Sequence, residues 1–312
     1  MKKTLKHFLT ESKKLSHWPK NKEELIAAYE KVMVDQETGE VMMPPYYDEL
    51  KPETEHLAHL NVTEFNDDLT VSIKHTRASR VQIHKWMLVN GQLPFPFKDV
   101  DIEFSIEKGC DLKSLAGVPR KCESFKIWMN SLAESVSNLV GGPEDVEEDY
   151  IVQLCLGIKS TEGLPKSVGG RLELSCPNLE DFSRLPKEVK SLMIGHTLHF
   201  TEEHLQYLPA HSEEIDLSML GNLHSFHNIH KYVKSVKKIG TYEIKIRSSI
   251  LGLSMISGLE EIDECFFDVN SDDEDWPTEG IQEIVNKYIG THDVFEFQEE
   301  LVNAGLKELA KQ

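Results

Sequence analysis

Apolar residues recur along this chain with a long, regular period. Prolines fall at Pro96, Pro119, Pro143, Pro165, Pro186 and Pro209, with gaps of 23, 24, 22, 21 and 23 residues. Their settings match: Gly117-Val118-Pro119, Gly142-Pro143, Gly163-Leu164-Pro165, Arg184-Leu185-Pro186 and Tyr207-Leu208-Pro209. Three residues after the proline stands Val146, Val168 or Val189, with Cys122 as the smaller version. An alternating apolar pair follows: Phe125/Ile127, Tyr150/Val152, Leu172/Leu174, Leu192/Ile194 and Ile215/Leu217. Alternation of this kind predicts a short strand with one buried face.

Within the best unit, Val189-x-x-Leu192-x-Ile194-x-x-x-Leu198 is close to the leucine-rich-repeat core L-x-x-L-x-L. Gly169-Gly170 lengthens one unit by a residue. Two weaker units follow, around Val233/Val236 and Leu259/Ile262/Phe266, and both have lost the proline, as at His230 and Glu260. A unit of about twenty-two residues cannot bury its own apolar stripe; stacked units can share one core. The Leu-Pro pair stops the return segment from continuing as a helix.

The ends lack the period. Asn21 precedes Lys22–Glu30, which reads as a capped helix. Val32–Val34 and Val41–Met43 flank Gly39 and read as a hairpin. Leu69–Ile73 and Val81–Ile83 are strand-like and open the array. Thr278 precedes an amphipathic run to Ile289, ended by Gly290, and Asp293 opens a second helix. The expected fold is therefore α+β: a degenerate leucine-rich-repeat-like solenoid with short parallel strands, a helical N-terminal segment and a helical C-terminal cap. The expected divisions are residues 1–22 as a basic helix, 23–60 as helix and hairpin, 61–275 as solenoid and 276–312 as cap.

Charge sharpens the picture. The net charge is −19. Residues 1–22 hold seven Lys and one Glu, whereas the rest holds 27 bases against 52 acids. The body repels phosphates and anionic membranes, so direct nucleic-acid or membrane binding is not expected, and a basic surface is the compatible partner. No apolar run is long enough to span a bilayer, and no secretory signal is expected at the N-terminus. The five cysteines, Cys110, Cys122, Cys155, Cys176 and Cys265, form no C-x-x-C pair. Neither a disulfide framework nor a cysteine zinc site is expected.

The segments Leu112–Pro119, Leu164–Leu174 and Phe65–Ile73, and the tail Ile284–Gln312, resemble a leucine-rich-repeat-like family of large tailed bacteriophages. The resemblance covers roughly residues 60–312 and implies no activity. Met1–Ser12 resembles the capsid-targeting peptide of T4-like internal head proteins, through Met1, Lys2, Leu5, Phe8, Leu9, Thr10 and Glu11. That resemblance implies binding to the capsid scaffold and cleavage between Glu11 and Ser12, with Leu9, Glu11 and Ser12 as the processing site. Loss of three Lys and one Glu would bring the charge to −21. It further implies passage through the virion interior to the cytoplasm of the infected bacterial host. A docking helix, burying Leu5, Phe8 and Leu9, is the other reading of this segment.

Catalytic and metal motifs are weak. Asp268–Asp273 with Glu279 has EF-hand oxygen spacing, but Asp273 stands where the turn needs Gly and Pro277 lies inside the loop. His196, His199, His204, His211, His224, His227 and His230 cluster in sequence, yet a solenoid spreads them over several coils. There is no G-x-S-x-G, no P-loop and no G-x-G-x-x-G. An enzyme and a bound cofactor are not expected. The expected activity is binding of a host protein, through a face carrying Lys126, Trp128, Glu173, Met193 and Asp216. The alternative is an acidic decoy that mimics nucleic acid and inhibits a DNA-binding host or defence protein.

Overall fold

The structure, a computed structural model, describes residues 15–32, 62–74, 80–128, 131–242, 244–263, 266–267 and 278–311. It divides into two compact units, Met1–Val136 with Val140–Asp145, and Ser137–Leu139 with Val146–Gln312. Each unit coils as a parallel β-solenoid.

The first unit opens with helix α1 (Lys22–Val32). Asn21 Oδ1 accepts the Glu24 amide at 2.8 Å, and the Glu24 carboxylate turns back to the Lys20 amide at 2.9 Å. These bonds satisfy donors that a helix start leaves open. Leu25 is buried, and the Trp18 indole N–H donates to the Leu93 carbonyl at 2.9 Å. Gly117 makes room for that indole: its φ is +93°, and a Cβ would lie 2.9 Å from the Trp18 ring. Val32, expected in a hairpin arm, instead closes α1, and the remainder of that hairpin lies outside the described residues.

Strands β1 (Glu64–Phe65) and β2 (Val71–Ile73) pair antiparallel. Beyond them every pairing between strands is parallel among the described residues, and only the Val89–Gln92 bridge is antiparallel. β2, β4 (Phe97–Val100) and β6 (Lys121–Cys122) form one stack; β3 (Arg80–Ile83), β5 (Glu103–Ile106) and β7 (Phe125–Ile127) form another. One strand per repeat was the expectation; these coils carry two. Bends at Asp101–Ile102 and Glu123 separate the first apolar anchor from the alternating pair, so the ladder stops and restarts. Both anchors still point inward. Val81/Ile83, Phe104/Ile106 and Phe125/Ile127 are buried; Phe97 meets Phe104 edge to face at 5.1 Å, and Phe104 stacks on Phe125 at 6.2 Å.

In the second unit β8 (Asp145–Val146) and β9 (Tyr150–Gln153) both pair with β10 (Ser167–Ser175), which is one unbroken strand. The ladder continues through β11 (Glu188–Ile194), β12 (Glu214–Asp216), β13 (Lys238–Gly240) and β15 (Glu261–Ile262). The register is direct: Leu172 lies beside Tyr150 and Leu192, Leu192 beside Ile215, Ile215 beside Ile239, and Ile239 beside Ile262. All are buried. The eroded units contribute too, since Val233, Val236 and Leu259 are buried despite the missing proline.

Gly169-Gly170 produces a register shift between Val168 and Arg171. Here the preceding coil presses close. A Cβ on Gly169 would lie 2.0 Å from the Glu147 carbonyl oxygen, and one on Gly170 2.9 Å from that of Glu148. The leucine-proline pairs also have a local cause. Leu164, Leu185 and Leu208 donate their amides to Thr161, Phe182 and Leu205, each at 3.2 Å, closing a tight turn. The proline that follows has no amide to extend it.

Past a single turn of helix α2 (Ile229–Tyr232), β14 (Lys245–Ile246) pairs with β16 (Phe266–Phe267). Helices α3 (Thr278–Tyr288) and α4 (Val294–Asn303) follow. Tyr288 and Phe297 stack between them at 5.1 Å. The tail then joins the last coil: the amides of Ser249 and Ile250 donate to the Glu308 and Leu309 carbonyls at 3.2 and 3.1 Å. Leu306 and Leu309 are buried.

Truncating Leu192 to Ala, at the middle of the second unit, should cost about 2–5 kcal/mol in chemical unfolding. Gly169→Ala should cost more than about 1 kcal/mol, because backbone and not a flexible side chain stands in the way. Unchanged unfolding midpoints for both variants would contradict the stacking described.

Candidate functional site

Side chains between the buried pairs face away from the core. In the second unit they form rows that run across the strands. One row is Ile151, Glu173, Met193, Asp216 and Gly240, each directly beside the next. Asp263 continues it, since its amide donates to the Ile239 carbonyl. A second row is Arg171, Ser191, Glu214, Lys238 and Glu261. Three of the residues expected on a binding face, Glu173, Met193 and Asp216, are therefore consecutive neighbours. Lys126 and Trp128 belong to the other unit.

The rows hold an ordered polar network. Glu173 is only 4% exposed. Its carboxylate takes the Arg171 guanidinium at 2.9 Å and the Gln153 amide at 2.6 Å, so its charge is matched within the face. Arg171 also meets the Met193 thioether at 2.8 Å. Lys238 lies between Asp263 at 2.9 Å and Glu261 at 3.0 Å. Hydrogen bonds to Asp263, then Glu261, hold its ammonium above the usual lysine range. The partners are well exposed, so solvent screening leaves this trio little stabilising value.

Glu214 and Asp216 differ. Both point outward from β12, two residues and so roughly 7 Å apart. Glu214 accepts the Ser191 hydroxyl at 3.2 Å, and Asp216 accepts the Ser218 amide at 2.9 Å. Among the described residues no cation pairs with either. Beside Asp216 stands Gly240, whose missing side chain is required: a Cβ would lie 2.5 Å from Asp216 Oδ1. One more group is unsatisfied. Ser175 Oγ, on a residue 3% exposed, has no hydrogen-bond partner.

In the first unit the outward row is Gln82, Ser105 and Lys126. Lys126 pairs with Glu103 at 2.6 Å, while Ser105 and Gln82 both donate to Glu107 at 2.8 and 3.1 Å. Trp128 follows the last inward residue of β7 and is 37% exposed. The His84 and Trp86 rings of the same unit stack at 6.0 Å.

Comparison with protein-family models, with curated proteins and with solved structures finds no match to this chain. The chemistry of the surface rests on its own residues.

Three of the histidines make bonds within the coils, while His230 Nδ1 is buried without a hydrogen-bond partner. His204 Nδ1 accepts the Thr201 amide at 3.1 Å in a reciprocal cap. Burial holds its pKa below the usual imidazole range. His224 Nδ1 meets the Lys245 carbonyl at 3.0 Å, and His227 Nδ1 lies 3.4 Å from Ser249 Oγ. His196 sits at a corner with φ +54°. Among the described residues no group of three or more His, Cys, Asp or Glu is placed to hold a metal ion. The EF-hand-like stretch Asp268–Pro277 lies outside the described residues, and of Glu279 only the backbone, within α3, is described. The expected processing site of Leu9, Glu11 and Ser12 also lies outside them.

Sequence reasoning missed Glu214, Ser175 and Gly240. Glu214 was accessible to it, standing two residues before Asp216 on the same strand face. The role of Gly240 depends on the neighbouring coil, which local pattern does not reveal.

Four cysteines, Cys110, Cys122, Cys155 and Cys176, are buried free thiols. Burial first, and then the Glu107 charge, pushes Cys110 up to about 12; Cys176 is raised further by burial. In the folded protein at pH 8 these four should resist alkylation, and should react once the chain is unfolded. Rapid native labelling of Cys110 or Cys176, read by peptide mass spectrometry, would contradict their placement.

Proposed function

We propose that this chain is a protein-binding solenoid whose outward strand rows engage a partner protein. The observation that carries the reading is the in-register row Ile151–Glu173–Met193–Asp216–Gly240, with its mixture of apolar, thioether and carboxylate groups. Such a surface is held by neighbouring strands, so little ordering cost attends its use. Flanking ion pairs fix the side chains in place, as specificity requires.

The resemblance to a leucine-rich-repeat-like phage family implies no activity, but with that of Met1–Ser12 to a capsid-targeting peptide it gives the binding role a setting. In that setting, residues 1–11 direct the protein to the assembling head, cleavage after Glu11 frees it, and the remainder acts on a protein of the infected host. The C-terminal helices then cap the array. A second reading has its own support: residues 23–312 carry 52 acids against 27 bases. In that reading the surface occupies a basic site built for DNA.

Two experiments test these readings. A photo-crosslinking amino acid at position 193 should capture a partner in extracts of infected cells, while one at position 203 should not. With the purified partner, Met193→Ala and salt dependence separate the two modes. A solenoid interface predicts about tenfold weaker binding for the variant and modest salt dependence. A decoy predicts a steep loss between 50 and 200 mM salt (both roughly the range in which phosphate-like contacts weaken most) and little effect of Met193. Crosslinking that is equal at both positions would remove the proposed face.

Packaging is tested separately. Mass spectrometry of purified virions should find this protein with a peptide beginning at Ser12. Virions that lack it would end the targeting reading and leave Met1–Glu11 to a docking role.

A further inference from the structure

Charge is matched from coil to coil over much of the molecule. Lys190, Glu213, Lys237 and Glu260 follow one another up the second unit, each amide donating to the carbonyl of the residue before it. Base and acid alternate along that row. In the row Arg171, Ser191, Glu214, Lys238 and Glu261 no two like charges are neighbours. In the first unit Arg120 meets Glu144 at 2.7 Å, and Lys121 meets Asp145 at 3.7 Å. Like charges side by side on adjacent strands repel, so this ordering favours the ladder.

One row of the second unit breaks the order. Ser167 lies beside Glu188, Glu188 beside His211, and His211 beside Ser235. The residues just before these four are Lys166, Lys187, Ala210 and Lys234. The Lys234 amide donates to the Ala210 carbonyl at 2.8 Å, which fixes the register. Lys166 and Lys187, each directly after the proline of its Leu-Pro pair, therefore stand one strand spacing apart, roughly 5 Å. All three lysines are exposed. Among the described residues none of them has a carboxylate at ion-pair distance; Lys234 Nζ donates to the His230 carbonyl at 3.0 Å. Ala210 brings no charge, and the adjoining row holds one acid, Glu188, beside His211. The row is thus a local excess of positive charge on a chain whose net charge is −19.

We propose that this lysine row is a second docking surface, separate from the outward strand face, and that it takes an extended acidic segment of a partner protein. Carboxylates laid along the row offset the repulsion that the ladder leaves uncorrected. From Lys166 to Lys234 is three strand spacings, roughly 14 Å, which about four extended residues span. A single peptide strand can follow one row. A nucleic-acid duplex is broader and would also lie over Glu188, Glu213 and Glu260, whose charge repels phosphate.

The test uses the full chain and a fluorescein-labelled eight-residue peptide of alternating Glu and Gly, read by fluorescence anisotropy at low salt. A Gln-for-Glu peptide and a single-stranded oligonucleotide of equal charge are measured beside it. The Glu peptide should bind, and more tightly than the oligonucleotide; the Gln peptide should not bind. Lys166→Gln, Lys187→Gln and Lys234→Gln together should weaken the Glu peptide about tenfold. Lys31→Gln, Lys108→Gln and Lys307→Gln remove the same charge from other exposed positions and should change it less than about twofold. The urea midpoint of the row variant should be no lower than the parent's, because the three lysines have no carboxylate to lose. A lower midpoint would mean that the row serves the fold, and would overturn the proposal. So would failure of the Glu peptide to bind, equal weakening by the two triple variants, binding of the Gln peptide, or tighter binding of the oligonucleotide. The crosslink at position 193 reports on the other face and is independent of each of these results.

Discussion

The backbone ladder between successive coils is the constraint on which everything else here depends. A coil of this chain turns a stripe of apolar side chains inward, such as Val189, Leu192, Ile194, Phe200, Leu205 and Leu208, and by itself has nothing to cover them from water. When Leu192 is set beside Leu172 on one side and Ile215 on the other, each coil covers its neighbour's stripe, and the parallel hydrogen bonds keep them aligned. Side chains on a strand alternate, so a slip by one residue would turn the whole inward column to solvent. Departures from the period must therefore be absorbed locally. Gly169-Gly170 does this, by letting the strand lie against the Glu147 and Glu148 carbonyls while Leu172 stays in line.

The same ladder builds the outer surface. Alternation that buries Leu172 and Leu174 carries Glu173 outward, and direct register then lines up Glu173, Met193 and Asp216. Cross-strand neighbours this close must be chemically compatible. Arg171 with Glu173, and Lys238 with Glu261 and Asp263, meet that need. The face is thus a set of matched charges with one unmatched pair, not a uniformly acidic sheet. The proposed binding role draws on that distinction.

The repeat was legible because both its signals are local. Proline spacing and the alternating pairs Tyr150/Val152, Leu172/Leu174 and Leu192/Ile194 lie within a few residues, and each pair is buried. The cap at Asn21 was readable for the same reason, as side chain and amide are three residues apart. Doubling of the strands in the first unit was not, since the bends at Asp101 and Glu123 carry no proline or glycine to announce them. Of the surface, the outward direction of Glu173, Met193 and Asp216 followed from alternation. That Glu173 would be nearly buried did not, because its burial depends on Arg171 and Gln153, and Gln153 lies on another coil. Gly117 shows the same limit: its need for a bare Cα comes from Trp18, almost a hundred residues earlier.

The regular register also bears on how the second unit forms. Leu172 to Leu192, Leu192 to Ile215, Ile215 to Ile239 and Ile239 to Ile262 are pairings of nearly constant sequence separation. Closing a loop of that length costs a similar entropy each time, and that cost rises only slowly with length. No pairing in this series must wait for a distant part of the chain. Contact order stays low for a fold built on parallel strand pairing, which favours quick folding over the slow search of sandwiches and barrels. Growth can begin at any well-formed pair of coils and extend in both directions. The coil at Ser249–Ile250 is the exception, since its amides are satisfied by the Glu308 and Leu309 carbonyls, some sixty residues on.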